Sequence, residues 1–274
     1  MSGQPASESS VDHYGSQYSN FATELYAAIR RQAMGEDIGQ NGWLTADEQD
    51  IFIDWLGLDA DDHLLDIACG CGGPTLRIAQ HTGCQVTGVD IQEQGIAQAT
   101  TYAAQQGLSD RATFRVLDGS SALPFETERF DAVMCIDAIN HLPDRALVLG
   151  EWYRVLKPGG RLLFTDPITV TGPLTSEENA IRASVGFFLF VPLGSDEVML
   201  REAGFQVKRI EDRTENVARV ARRWHAARAA KESKVRKLEG DKEYEGQQTF
   251  FDVAATLAEQ RRLSRFAYLA IKDR

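Results

Sequence analysis

Residues 64–73, LLDIACGCGG, constrain this chain more than any other stretch. A short apolar run ends at Asp66 and breaks into small residues and glycines. Pro74 follows, and then a helix-like segment over 75–80. The order is strand, tight turn, helix. Gly70, Gly72 and Gly73 carry no Cβ, so a ligand can come close to the backbone there. A helix that starts in such a turn aims its first N–H groups and the positive end of its dipole at whatever binds. Pro74 suits the first helical turn, where its missing N–H costs nothing.

The theme recurs down the chain. Residues 1–12 are polar and read as disordered. The spacing of Phe21, Leu25, Ala28 and Ile29 predicts an amphipathic helix over 21–34. Thr45 and Glu48 have the T-x-x-E spacing of a capping box, which would open a helix ending near Leu56. Strands are expected at 63–68, 85–90, 112–117, 130–136, 161–166, 205–210 and 266–271. Between and after them, helices are expected at 94–106, 144–156, 195–203, 215–238 and 249–263. Pro158-Gly159-Gly160 reads as a stop and turn. Apolar strands separated by helices indicate an α/β chain with a parallel sheet covered on both faces.

Composition narrows the partners. A net charge of −11 argues against general binding to nucleic acid or an anionic membrane, because both reward basic patches. The basic run from Arg219 to Lys237 is expected to be a solvated helix face balanced by Glu232 and Glu239. No apolar run is long enough to span a bilayer, and no signal-peptide pattern opens the chain, so the expected compartment is cytoplasmic. Cys69, Cys71, Cys84 and Cys135 show no C-x-x-C spacing, so no metal is expected.

Asp66, Asp90 and Asp118 end three successive expected strands. Ligands of an open parallel sheet bind outside the carboxyl ends of its strands. An acid ending the second strand is placed to accept from ribose hydroxyls, so the ligand contains a nucleoside. A dinucleotide fingerprint would need a third glycine where Thr75 stands. Instead, Asp66, Ala68, Gly70 and Gly72 resemble the E/D-x-G-x-G-x-G signature of class I S-adenosylmethionine-dependent methyltransferases, with Ala68 in place of the first glycine. VTGVDI, VLDGSSALPF, FDAVMCIDAINHLPD, LKPGGRLLFTD and LREAGF follow in the family's order, so the resemblance covers about 60–212.

The resemblance implies a Rossmann-like, doubly wound, seven-stranded sheet whose last strand is antiparallel. It implies an S-adenosylmethionine-binding core over 59–212, closed by a final strand over 265–274. The N-terminal part, 1–58, looks like the helical lid of small-molecule members that methylate glycine, sarcosine, dimethylglycine or phosphoethanolamine. Residues 213–264 are far longer than a hairpin turn and read as a helical cap inserted between strands six and seven.

By the same resemblance, Asp66 and the backbone of Gly70 and Gly72 hold the methionine end of the cofactor, with Ala68 in the turn. Asp90 takes the ribose, Ile91 covers the adenine, and Asp118 accepts from its amino group beside Gly119 and Ser120. Ile136 and Asp137 line the floor under the sulfonium. Tyr14, Tyr18 and Trp43 close over the site. Gln40 or Asn41 stands where these relatives often carry a histidine.

The expected partner is a small-molecule acceptor, with N, O or C as nucleophile, and the protein is expected to be a monomer or homodimer. His141 is the first candidate for a general base and Asp166 the second. Phe187, Phe188, Phe190, Trp224, Phe250 and Phe251 are expected to make an apolar acceptor wall. Two rivals use a similar sheet: a nicotinamide-dependent oxidoreductase, and a chain that keeps the fold without the transfer, such as a cofactor-bound cyclase or an interaction subunit.

Overall fold

The computed structural model describes residues 13–273, with side chains from residue 17 onward. The strands are β1 (His63–Ile67), β2 (Gln85–Asp90), β3 (Ala112–Val116), β4 (Phe130–Cys135), β5 (Leu156–Val170), β6 (Val191–Pro192), β7 (Phe205–Asp212) and β8 (Leu263–Lys272). Three helices precede the sheet: α1 (His13–Asn20), α2 (Glu24–Met34) and α3 (Ala46–Leu56). Among the strands lie α4 (Gly73–Thr82), α5 (Glu93–Gln105), α6 (Arg145–Val155), α7 (Ser176–Arg182) and α8 (Ser195–Glu202). Between β7 and β8 come α9 (Thr214–Ala229), α10 (Glu232–Glu239) and α11 (Asp241–Glu259).

The sheet order is β3-β2-β1-β4-β5-β8-β7, with β6 paired to the end of β5. β8 runs antiparallel to both neighbours, and the other pairings are parallel. This is the doubly wound, Rossmann-like seven-strand path expected from the sequence, plus a two-residue eighth strand. Alternation along each strand feeds two cores. Leu64, Ala132, Met134 and Leu163 face Phe52, Leu76 and Ile78 on one side. Leu65, Val133, Cys135, Leu162 and Phe164 face Trp152 and Leu200 on the other. Burial on both faces is why these strands read as continuous apolar runs. Strand order reverses between β1 and β4, and a ligand crevice belongs at the carboxyl ends there.

A third core joins α2, α9 and α11 through Ile29, Ala33, Val220, Trp224, Phe250 and Phe251. Beneath it, Arg228 and Glu239 form an ion pair at 2.7 Å with both side chains fully buried, and the Tyr26 hydroxyl donates to the same Glu239. On the outer face, Arg222 pairs with Asp252 and Glu259, and Arg236 with Glu232. The basic run is thus matched by carboxylates. No described helix is long and apolar enough to cross a membrane.

Several boundaries differ from expectation. The 21–34 helix starts later, at Glu24, because Thr23 caps it by accepting from the Tyr26 amide; α1 precedes it as a separate helix. The Thr45–Glu48 capping box does not form: Thr45 makes no side-chain cap, and Glu48 turns inward to Arg265. Pro158-Gly159-Gly160 does not stop the chain; β5 begins at Leu156 and absorbs it where its register with β4 shifts. The 215–238 helix breaks between α9 and α10, and the 249–263 helix starts earlier, at Asp241.

Candidate active site

A cavity of about 430 Å³ opens at the carboxyl ends of β1, β2 and β4. Asp66, Ala68, Gly70, Asp90, Ile91, Asp118, Gly119, Ser120, Ile136 and Tyr18 line one half of it. His141, Arg182, Phe187, Phe188, Trp224, Phe250 and Phe251 line the other.

Asp66 ends β1 and is 3% exposed. Burial pushes its pKa up to about 7, opposed by a hydrogen bond from the Thr75 hydroxyl at 2.5 Å and reinforced by Asp90. Thr75 occupies the third-glycine position of a dinucleotide site and spends its hydroxyl on this acid. Such a carboxylate is short of a cation. The chain then turns through Ala68 at φ 58 and Gly70 at φ 57. Ala68 therefore adopts the left-handed conformation that a glycine takes freely, at about 1 kcal/mol. At Gly70 a Cβ would lie 3.1 Å from Asn41 Oδ1 and 3.4 Å from the Tyr18 hydroxyl, so the turn is a close-fitting cradle.

The Gly70 amide donates to Asp90 Oδ2 at 2.9 Å, and the Gln92 amide donates to Oδ1 at 2.8 Å. Tyr18, from α1, adds a side-chain hydrogen bond to the same acid. Burial raises the Asp90 pKa against these donors. Ile91 stands beside it, 63% exposed. Asp118 is exposed, and its Oδ1 accepts from the Ser120 amide and hydroxyl at 2.9 and 2.6 Å.

Asn41 was singled out only as one of two stand-ins for a missing histidine. Its neighbour Gln40 is 1% exposed and closes its own loop, accepting from the Ile38 amide and donating to the Glu36 carbonyl. Asn41 lines the cavity instead, and its buried Nδ2 has no hydrogen-bond partner among the described residues. An acid short of a cation beside an amide short of an acceptor fits the ammonium and carboxylate of an amino-acid end, as S-adenosylmethionine carries. Asn41→Ala is expected to raise the dissociation constant of S-adenosylhomocysteine about tenfold or more, since the lost bond goes to a charged group. Calorimetric titration checks it, and an unchanged constant removes Asn41 from the site.

Four expected site residues stand elsewhere or do other work. Gly72 does not line the cavity; a Cβ there would meet Ala99 at 2.7 Å and the Phe114 ring at 2.9 Å, so its bareness serves packing between turn, helix and sheet. Asp166 does not line it either. It is fully buried, bound to Arg145 at 2.7 Å, with its other oxygen on the Ile168 amide. It is thus withdrawn from the base role. Asp137 borders the cavity, but its carboxylate accepts from the Trp43 amide, the Thr165 hydroxyl and Arg265 Nε at 2.8, 2.7 and 2.6 Å. The Trp43 ring joins the aromatic wall, stacked on Phe250 at 6.5 Å and edge-on to Phe251 at 6.2 Å. The side chain of Tyr14 lies outside the described residues.

His141 ends a short turn after β4. Its Nδ1 lies 2.9 Å from the Phe187 carbonyl, which assigns that nitrogen the proton and Nε2 the lone pair. The ring meets Phe188 edge-on at 4.8 Å. Burial lowers its pKa, and the Arg182 charge lowers it further, against the bond to Phe187. Phe190 packs away from the cavity, with Ile168, Leu257 and Leu263.

Comparison with known proteins agrees with this geometry. Residues 65–164 match the family model described as a methyltransferase domain. The chain is 33% identical over 201 residues to 27-O-demethylrifamycin SV methyltransferase of Amycolatopsis mediterranei (strain S699), covering 69% of this chain and 74% of that one. Among solved structures, phosphoethanolamine N-methyltransferase 2 of Haemonchus contortus, in complex with phosphomonomethylethanolamine and S-adenosylhomocysteine, superposes with a TM-score of 0.79 at 20% identity. That match covers 96% of this chain and 61% of the other. The [4+2]-cyclase SpnF superposes at 0.74 with 23% identity over 99% of both chains. At these identities the two structures share the fold.

Proposed function

The chain belongs to the class I S-adenosylmethionine-dependent methyltransferases, and from that membership we propose an enzyme that methylates a bulky, largely apolar small molecule with His141 as general base. The observation that carries the proposal is the continuity of one cavity. The acids of the donor half and the aromatic wall with His141 line the same space.

S-adenosylmethionine bound there supplies a methyl group on a sulfonium, whose leaving group is already good. The protein is left to align, to exclude water and to move a proton. Asp66 and Asn41 would grip the amino-acid end, Asp90 the ribose hydroxyls, and Ile91 the adenine face. The Asp90 oxygens already gather the Gly70 and Gln92 amides, so the ribose acid is held in place before any ligand arrives. Trp43, Phe188, Trp224, Phe250 and Phe251 form a wall that favours an apolar acceptor and keeps water out. We read α1–α3 as the lid, through Tyr18 and Trp43, and α9–α11 as the cap, through Trp224, Phe250 and Phe251. His141 Nε2 would take the acceptor's proton as the oxygen or carbon attacks.

A methyl-label transfer screen over phenols, enols, isoprenoid- and polyketide-type alcohols and amines tests the proposal. Labelled product with matching S-adenosylhomocysteine from an apolar acceptor supports it. Conversion of substrate without S-adenosylhomocysteine would favour a cyclase-type chemistry, and transfer confined to small polar amines would contradict the aromatic-wall reading.

A further inference from the structure

The acceptor half of the cavity is electrically lopsided. Arg182, the last residue of α7, is 2% exposed and lines the cavity. Its guanidinium carbon lies 4.4 Å above the Phe250 ring, 5.5 Å from Phe188 and 6.0 Å from Trp43. Three rings pack around one cation, which holds it in place and away from water, where its field is stronger. Among the described residues it is the one lysine or arginine of the cavity wall. The carboxylates Asp66, Asp90 and Asp118 belong to the donor half, and Asp137 is tied to Arg265. His141, across the same pocket, is held toward its neutral form.

A cation beside a neutral base suits one kind of acceptor. A protonated amine would face a like charge, and a neutral amine needs no base. A hydroxyl that ionises on approach gains from both groups. We propose that Arg182 binds the reacting oxygen of the acceptor and directs transfer to an acidic hydroxyl, a phenol or an enol. This rests on the reading of the cavity as a methyl-transfer site. In the step, the acceptor O–H bond breaks and its proton passes to His141 Nε2. The oxygen forms a bond to the methyl carbon while the S–CH3 bond breaks, and the sulfonium becomes a neutral thioether. His141 then releases its proton to solvent. Arg182 carries a full charge throughout and is unchanged.

A bound phenol reads this without turnover. 4-Nitrophenol changes absorbance on ionisation, so its pKa can be followed on the protein saturated with S-adenosylhomocysteine. The wild type is expected to lower the bound phenol's pKa by about one unit or more, the magnitude of a close charge partner. Arg182→Met is expected to abolish that shift, and Arg182→Lys to keep part of it, with S-adenosylhomocysteine affinity unchanged in both. A second arm titrates benzoate. If Arg182 instead recognises a non-reacting carboxylate, benzoate binds in an Arg182-dependent way while the phenol's pKa stays put, and the proposal falls. It also falls if 4-nitrophenol fails to bind, or if Arg182→Met shifts it as the wild type does. Failure of the methyl-transfer reading is separate: no S-adenosylhomocysteine would form in the label screen, whatever the phenol titration shows.

Discussion

His141→Ala is expected to lower kcat for a hydroxyl acceptor about 10²- to 10⁴-fold, the usual worth of a positioned general base, while leaving S-adenosylhomocysteine affinity within about twofold. The asymmetry follows from where the residue sits. The donor half of the cavity is built from β1, β2 and the turn after β1, whereas His141 is anchored to Phe187 and Phe188 on the acceptor side. Removing its ring leaves the Gly70–Asp90 hydrogen bond and the Asp66 cradle untouched.

A pH profile sharpens the test. Burial and Arg182 hold the imidazole pKa below its ordinary value, so it is neutral through the neutral range and gains a proton only on acidification below that value. The acid limb of kcat should therefore fall below about pH 6.5 and vanish in the alanine variant. Unchanged turnover would remove His141 from the mechanism. Equal losses of turnover and cofactor affinity would make it a structural residue.

Arg265→Met is expected to destabilise the fold by about 3–5 kcal/mol, because it strands two buried carboxylates. Arg265 is fully buried in β8 and donates to both oxygens of Glu48 at 2.7 Å and to Asp137 Oδ1 at 2.6 Å. Burial alone would weaken the guanidinium's hold on its proton, but the two carboxylates outweigh it and raise the pKa further. At the usual entropy of unfolding for a chain of this size, the loss corresponds to a Tm lower by about 6–20 °C. Thermal unfolding followed by circular dichroism measures it. Adding Glu48→Gln and Asp137→Asn should recover part of the loss, since the stranded charges go. A Tm within about 2 °C of wild type would mean that the triad adds little. The cluster also reaches the site. Asp137 holds the Trp43 amide, so surviving Arg265→Met protein should bind the acceptor more weakly than it binds the cofactor.

The sheet could be read from the sequence because its strands are buried on both faces and separated by regular helices. β2 falls at its expected limits, and the other strands of the sheet path lie within a few residues of theirs at most ends, β5 excepted. The donor acids were legible for a related reason. Each closes a strand, and the strand ends share one edge of the sheet.

Side chains that depend on distant partners were not legible. Glu48 looks like a capping residue three positions from Thr45, yet its partner Arg265 is 217 residues away. Asp166 closes β5 much as Asp66 closes β1, but Arg145 and Asp196 meet behind it and take it out of reach. Asn41 gave little signal, because its value lies in an unmet Nδ2 that appears only once the loop folds over Gly70. Arg182 gave none: a lone arginine ending a short helix says nothing until three rings gather round it.

The central claim is that the turn after β1 grips the amino-acid end of S-adenosylmethionine through Asp66. The direct measurement is the affinity of S-adenosylhomocysteine as a function of pH, in wild type and in Asp66→Asn. Without ligand, Asp66 has a pKa raised to about 7. Its stabilising contribution to the empty fold is therefore present at low pH and lost as pH rises through about 7. Binding runs the opposite way, because the ammonium needs the ionised acid. Wild-type affinity should fall by about tenfold or more from pH 7.5 to pH 5.5, while Asp66→Asn binds weakly and shows little of that slope. Equal wild-type affinity at both pH values, or an Asp66→Asn protein that binds as tightly as wild type, would contradict the claim.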